Sequence, residues 1–502
     1  MFRKNYTVRI DLPGGIVAAG RLYAIVAAAE EAKVLNMQLG TRQQLYCKVA
    51  DKYGEAFLAA LQQAGITYEV NEERYPNIVS SYVIQGVFEG IGGASWLSEG
   101  VYKDVLDSFD FRPALKVNLV ERSQSFVPFF TGNINFISSA IGNYWYLYVR
   151  LPQTTQVFLW KALIYSQDIP RVCRWIEEAL QEDPTLSQDP TFDDLYTVVS
   201  KRGQLATQPI VELLSLPPFD LLYYEGFNRY GNKTWLGIYR REELFPLAFL
   251  KDISLVCLQT RIGQLYTTPW KSLIIKGIEE RHRTLWEFVL GKYRINVRHA
   301  SNELNWQVED LSEEGLRLKR YLVRQFDLED VRTDGLCFAI KTRPRSGLSG
   351  SVIIRKQEGG RPDQRKMLDR YDILHTPDFN ANSKEYILYR EGLEKEHLSV
   401  YLVSLCKYFY ELQSKKEPAD LKARALHPGA GQGRRETRQE KGHRVFQCRS
   451  CLTVYDEEYG DPANDEPAGR LFEAVSPAWV CPVCGGEKEG FHAIEKSTLI
   501  QG

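Results

Sequence analysis

Two Cys-x2-Cys pairs, Cys448/Cys451 and Cys481/Cys484, fall in the last tenth of the chain with 29 residues between them. The other five cysteines, Cys47, Cys173, Cys257, Cys337 and Cys406, are single and widely spaced. Isolated cysteines behave as small core residues, whereas clustered pairs in a reducing compartment are metal ligands. Four thiolates arranged as a tetrahedron suit one zinc or one iron almost equally well, and spacing alone does not choose between them. Zinc ribbons more often separate the pairs by about 15–20 residues.

A compositional break precedes this module. From Ser414 to Arg444 the chain holds nine Lys/Arg and four Asp/Glu with almost no large apolar residues. Such a segment cannot bury enough surface to offset its ordering entropy, so 414–444 reads as a flexible charged linker with a reach of about 30 Å. At 502 residues the whole chain needs several domains.

Before the linker, one pattern occurs twice. RLYAIVAAAEEAKVL, LGTRQQLYCKV and EAFLAALQQAG echo LAFLKDISLVCLQT, QLYTTPWKSLIIKGI and RTLWEFVLGKY, roughly 225 residues later. Each copy reads helix, strand, helix, with Thr41-Arg42 ahead of one strand and Thr268 and Lys271 ahead of the other. ALKVNLVE, YWYLYVRL and SGSVIIRK read as further strands. YWYLYVRL suits a strand packed on both faces better than a stacking platform for a planar ligand.

Net charge is −1, which gives no general reason for nucleic-acid or anionic-membrane binding. No early apolar run resembles a signal peptide, and the longest apolar stretches fall short of the ~20 residues that span a bilayer. The expected location is cytoplasmic.

VFQCRSCLTVYDEEYGDP followed by LFEAVSPAWVCPVCGGEKEGF closely resembles rubredoxin. The matching positions are Phe446, Tyr455-Asp456, Gly460-Asp461-Pro462 and Trp479 to Gly485, with Phe472 and Phe491 as small-core aromatics. The resemblance implies one iron ion, Fe3+/Fe2+, bound by Cys448, Cys451, Cys481 and Cys484 and carrying single electrons. In so small a domain the metal also acts as a staple. Leu452 departs from the glycine usual after the first pair, whereas Gly485 keeps the second. Residues 445–491 hold nine acidic and three basic side chains, a balance that suits docking onto a basic redox partner.

IDLPGG, LGTRQQL, PALKVNL and the repeated half-domain resemble the sirohaem nitrite and sulfite reductases. That resemblance places Arg42, Lys116 and Lys271 around a pocket for an anion or a tetrapyrrole carboxylate; a salt-bridged, purely structural role is the alternative for each. It also exposes a loss. No two body cysteines lie within thirty residues of each other, and ERSQSFVPFFTGNINFISSAIGNYW contains none. Sirohaem and a 4Fe-4S cluster are therefore not expected. His299, near Arg298 and Glu303, reads as a hydrogen-bonded structural histidine rather than a ligand or proton relay. FEGIGGAS reads as a tight turn rather than a phosphate loop.

The fold class expected is α+β: repeated ferredoxin-like half-domains in a sulfite-reductase-like body, plus a small irregular β rubredoxin domain. Expected domains are 1–85 and 231–310 (the half-domains), 86–230 and 311–413 (two core domains), the linker 414–444, and 445–495. The expected function is one-electron transfer to and from protein redox partners, with the body as docking scaffold, in nitrite or sulfite assimilation. The alternatives are an oxidoreductase whose body binds sirohaem or another cofactor and is fed by its own tail, and a zinc-filled structural scaffold.

Overall fold

The computed structural model describes residues 5–87, 95–152, 154, 156–188, 192–299, 301–344, 346–357, 369–383, 385–415, 445–450, 453–457, 459–461, 464, 466–467, 469–482 and 485–494. Cys451, Leu452, Pro462, Cys484, nearly all of FEGIGGAS and the linker from 416 onward lie outside the described residues. The chain divides into two compact units, 1–423 and 424–502.

In the first unit both copies of the repeated pattern fold alike. Asn36–Leu39 and Leu45–Ala50 form an antiparallel hairpin, and so do Gln264–Thr267 and Leu273–Ile278. The segments read as helices are Ala19–Glu31, Asp51–Gln63, Leu247–Gln259 and Arg283–Lys292. Leu22, Ile25, Val26 and Ala29 are buried at helical spacing, which gives Ala19–Glu31 its inner face.

The sheets of the two copies, five strands each, exchange strands. Ile16–Ala18, from the first copy, pairs with Gln264–Thr267 of the second. In return Phe245–Pro246 pairs with Asn36–Leu39 of the first, placing Phe245 opposite Met37. A single apolar core runs through both, from Val8, Ile25 and Met37 to Phe249, Ile253 and Trp286.

The intervening segments build two further sheets with one shared pattern. Val79–Ser80, Val117–Val120 and Ile134–Ser138 run parallel, then Tyr144–Val149 and Ala162–Tyr165 join antiparallel. Trp306–Val308, Phe338–Lys341 and Val352–Lys356 are likewise parallel, followed by antiparallel Arg370–His375 and Ile387–Glu394. Tyr144–Val149, the YWYLYV strand, is buried on both faces. Duplication thus extends across both sheet layers of the body.

The second unit holds a three-stranded antiparallel sheet, with Val445–Cys448 between Val454–Asp456 and Phe491–Ile494. Among the described residues no helix is long and apolar enough to cross a membrane.

Candidate metal centre

The central strand of the second unit ends at Cys448, whose backbone N–H donates to Thr453 O at 2.8 Å. Cys481 repeats this closure, its N–H donating to Gly486 O at 2.8 Å. Each turn therefore spans one Cys-x2-Cys pair in the same register. Gly485 takes φ +69° and donates to Cys481 O at 2.9 Å, a left-handed position that suits glycine. Cys448 and Cys481, though 33 positions apart in the chain, belong to one buried cluster with Tyr455, Phe472, Val475, Trp479 and Phe491. Phe446 stacks on Phe472 at 4.2 Å, and Trp479 lies 5.2 Å from Phe491. Phe472 and Phe491 thus occupy the aromatic core expected of them.

Carboxylates tie the loops of this unit. Trp479 Nε1 donates to Asp461 at 2.9 Å, Phe472 N to Glu457 at 2.8 Å, and Ser476 N to Glu466 at 2.9 Å. Glu457 and Glu466 are buried, so two of the nine acids are structural and unavailable to an exposed docking face. The sequence signals charge but not this division of labour.

This environment fits an iron–thiolate centre. Two soft donors enter one aromatic, low-dielectric cluster on equivalent turns, each of which contains the position of a second cysteine. Iron held by these cysteines would supply one-electron chemistry there. The chain's part is to present the sulfurs, keep water from the aromatic side and hold the turns rigid.

In the body, Arg42 and Lys116 line one cavity of about 170 Å³. The Arg42 guanidinium is already engaged: Nε and Nη2 reach Asn77 O at 3.1 and 2.8 Å, Nη2 also reaches Val117 O at 2.9 Å, and Nη1 reaches Asn118 Oδ1 at 3.2 Å. Burial pulls its pKa down to about 9. Lys116 is also lowered, first by burial and then by Arg42.

Lys271 is not among the residues lining that cavity. Its ammonium donates to Glu243 at 2.7 Å and Glu309 O at 3.2 Å, with Asp310 at 3.5 Å. Burial works to lower its pKa, but the Glu243 and Asp310 carboxylates outweigh it and raise the value. The loop register also changes the pairing suggested by sequence. Gly40 N closes on Gln44 O and Thr268 N on Ser272 O, and the left-handed residues are Gln43 (φ +63°) and Lys271 (φ +54°). Lys271 therefore corresponds to Gln43, and Trp270 stands where the first copy has Arg42.

Asp310 had no signal in the sequence. It accepts from Thr41 N at 2.9 Å, Gln44 Nε2 at 3.2 Å and Tyr46 Oη at 3.5 Å, besides facing Lys271. Glu73, Glu309 and Asp310 line the same cavity. Arg9, Arg42, Lys116 and Arg343 line it too, so the lining carries both signs of charge. The five body thiols are buried, and burial raises those of Cys47, Cys257, Cys337 and Cys406 to about 12. His299 Nδ1 lies 2.5 Å from Glu225, which also accepts His299 N at 2.7 Å, while Glu303 is paired with Arg241. The His299 ring and its backbone N–H thus share one carboxylate partner.

The fold and the site together define a chain with a duplicated α+β body and a small cysteine-based C-terminal module. Residues 445–491 match the Rubredoxin family. They are 47% identical over 49 residues to Rubredoxin-2 of Chlorobaculum tepidum, covering 10% of this chain and 94% of that one. Rubredoxin-2 of Pseudomonas aeruginosa is 44% identical over 52 residues, with coverage of 10% and 94%. The anaerobic nitric oxide reductase flavorubredoxin of Pectobacterium carotovorum subsp. carotovorum is 29% identical over 82 residues, 16% of each chain. The structure of Mycobacterium tuberculosis NirA protein is similar over 84% of each chain, with TM-score 0.60 and 13% sequence identity. Through its C-terminal module the chain belongs to the rubredoxin family. Its α+β body shares its fold with that NirA protein.

Proposed function

We propose that the chain carries one electron at a time on an iron held by Cys448, Cys451, Cys481 and Cys484, and that its body is the scaffold on which a redox partner docks. The reading is carried by the convergence of Cys448 and Cys481 on one aromatic cluster through equivalent turns. The remaining acidic side chains of the module favour a basic partner, and a nitrite or sulfite reductase in the cytoplasm is the partner whose chemistry suits the body's fold. The engaged Arg42, the paired Lys271 and the wide spacing of the body cysteines support a body that works without sirohaem or a 4Fe-4S cluster. Arg42 and Lys116 then serve the architecture of the cavity rather than a tetrapyrrole.

The test is electron delivery. The full chain, reduced by one electron, is mixed with a nitrite or sulfite reductase, and re-oxidation is followed in the visible spectrum. Rapid re-oxidation is expected, and it should vanish in Cys448→Ser/Cys481→Ser. A reduced wild-type chain that no such reductase re-oxidises would remove that class of acceptor.

A further inference from the structure

The hairpin of the second copy carries a lysine whose surroundings differ from those of its counterpart in the first. With Lys271 equivalent to Gln43, Lys276 stands where the first copy has Lys48. Lys48 is exposed, whereas Lys276 is partly buried. Alternation along Leu273–Ile278 explains the burial. Leu273 and Ile275 join the core shared by the two copies, while Ile274 joins the neighbouring core that contains Tyr82 and Tyr266. Lys276 follows Ile274 on that side. Its nitrogen lies 4.2 Å from the Tyr266 ring centre and 5.4 Å from that of Tyr82, and it donates to Gln85 O at 2.7 Å and Tyr82 O at 3.5 Å. It forms no ion pair among the described residues; Glu99, the carboxylate whose charge reaches it, is paired with Lys103 at 2.6 Å. Lys276 lines a cavity of about 500 Å³ with Tyr230, Ile262 and Tyr266 among its apolar walls. Lys233 and Arg261 line it too, both exposed and without an ion pair among the described residues. Burial pulls the Lys276 amine down to about 7, so at neutral pH about half of it is uncharged, against roughly one part in a thousand or less for a solvated lysine.

We propose that this cavity is a covalent binding site for a small α-oxo acid, which Lys276 captures as an imine. The uncharged nitrogen attacks the carbonyl carbon and a C–N bond forms. The carbonyl oxygen then leaves as water, carrying the two protons that the amine gives up through solvent, and no oxidant or reductant is consumed. Gln85 O accepts an N–H and so leaves the nitrogen lone pair free for the attack. The ligand's carboxylate is met by Lys233 and Arg261, the two cations of the lining that nothing else neutralises. Once protonated by solvent, the imine keeps the Tyr266 face as its cation–π partner. Desolvation against rings, without a carboxylate partner, is the condition under which a lysine serves as a carbonyl nucleophile.

The test incubates the full chain with pyruvate and cyanoborohydride at pH 7, where hydride reduces any imine to a stable secondary amine, and maps the label by peptide mass. Lys276 should carry about tenfold more label than Lys48, its exposed counterpart in the first copy. Lys276→Arg keeps a cation at the position and should lose the label there. Lys233→Ala/Arg261→Ala should cut labelling by pyruvate about threefold or more, and should leave labelling by acetone, which lacks the carboxylate, near its wild-type level. Absence of label at Lys276, or equal label at Lys276 and Lys48, would overturn the proposal. So would a loss with acetone as large as that with pyruvate, because the cations would then not be reading a carboxylate. The wild-type label map needs no variant, so it decides the matter even where a substitution impairs folding.

Discussion

Trp479 donates its indole N–H to Asp461 across 2.9 Å, joining the segment ahead of the second cysteine pair to the Gly460-Asp461 turn. The same indole packs against Tyr455 and Phe491 at 5.5 and 5.2 Å, within the cluster that contains Cys448 and Cys481. One side chain therefore couples loop closure to the surroundings of the sulfurs. Trp479→Phe keeps the apolar ring and loses the donor. It should lower the module's stability by about 1–2 kcal/mol while metal loading persists, read as thermal loss of the iron–thiolate absorption.

Two glycines of the module should respond differently to alanine. Gly460 has φ +64°, and a Cβ there would stand 2.4 Å from Pro467 O and 2.6 Å from Glu466 O. Gly485 has φ +69° with open space around its Cβ position. Gly485→Ala should cost only the left-handed backbone penalty of about 1 kcal/mol. Gly460→Ala adds a backbone clash and should be clearly worse, about 2–4 kcal/mol. Melting of the two variants side by side checks the order.

The buried Lys271–Glu243 pair holds the second-copy loop in the body. Lys271→Met leaves Glu243 buried without its partner, which should cost about 3–5 kcal/mol in urea unfolding. The double variant Lys271→Met/Glu243→Leu should recover much of that loss, because the uncompensated charge is gone.

Lys276 gives a pH dependence of known sign. Its ammonium lies 4.2 Å from the Tyr266 ring centre and donates to Gln85 O at 2.7 Å, and burial pulls its pKa down to about 7. In the unfolded chain it titrates at its ordinary value, 10.5. Between these values the unfolded state binds more protons, so this group makes folding more favourable as pH rises from about 7 toward 10.5. Lys276→Met should flatten that rise, and should narrow its deficit or gain stability relative to wild type as pH falls toward 7. Urea unfolding at pH 7 and 9 measures the difference.

The sequence was most legible where chemistry is local. A Cys-x2-Cys pair closes its own turn, so Cys448 and Cys481 advertise their role without reference to the fold. Helical periodicity likewise exposed Ala19–Glu31 and Leu247–Gln259. What stayed hidden is long-range. Nothing in IVA or FP says that these short strands change sheets, because the pairing partner lies more than two hundred residues away. Asp310 carries no local signal, yet it gathers Thr41, Gln44 and Tyr46 from a segment some 265 positions upstream. Equating Lys271 with Arg42 followed residue type, whereas the hydrogen-bond register of the loops equates it with Gln43.

The most direct measurement of the central claim is the visible spectrum and metal content of the full chain isolated from its own host. One iron per chain should accompany a thiolate-to-iron absorption that bleaches on one-electron reduction and returns in air. A colourless protein carrying zinc at the four cysteines, silent to reductant, would contradict the account.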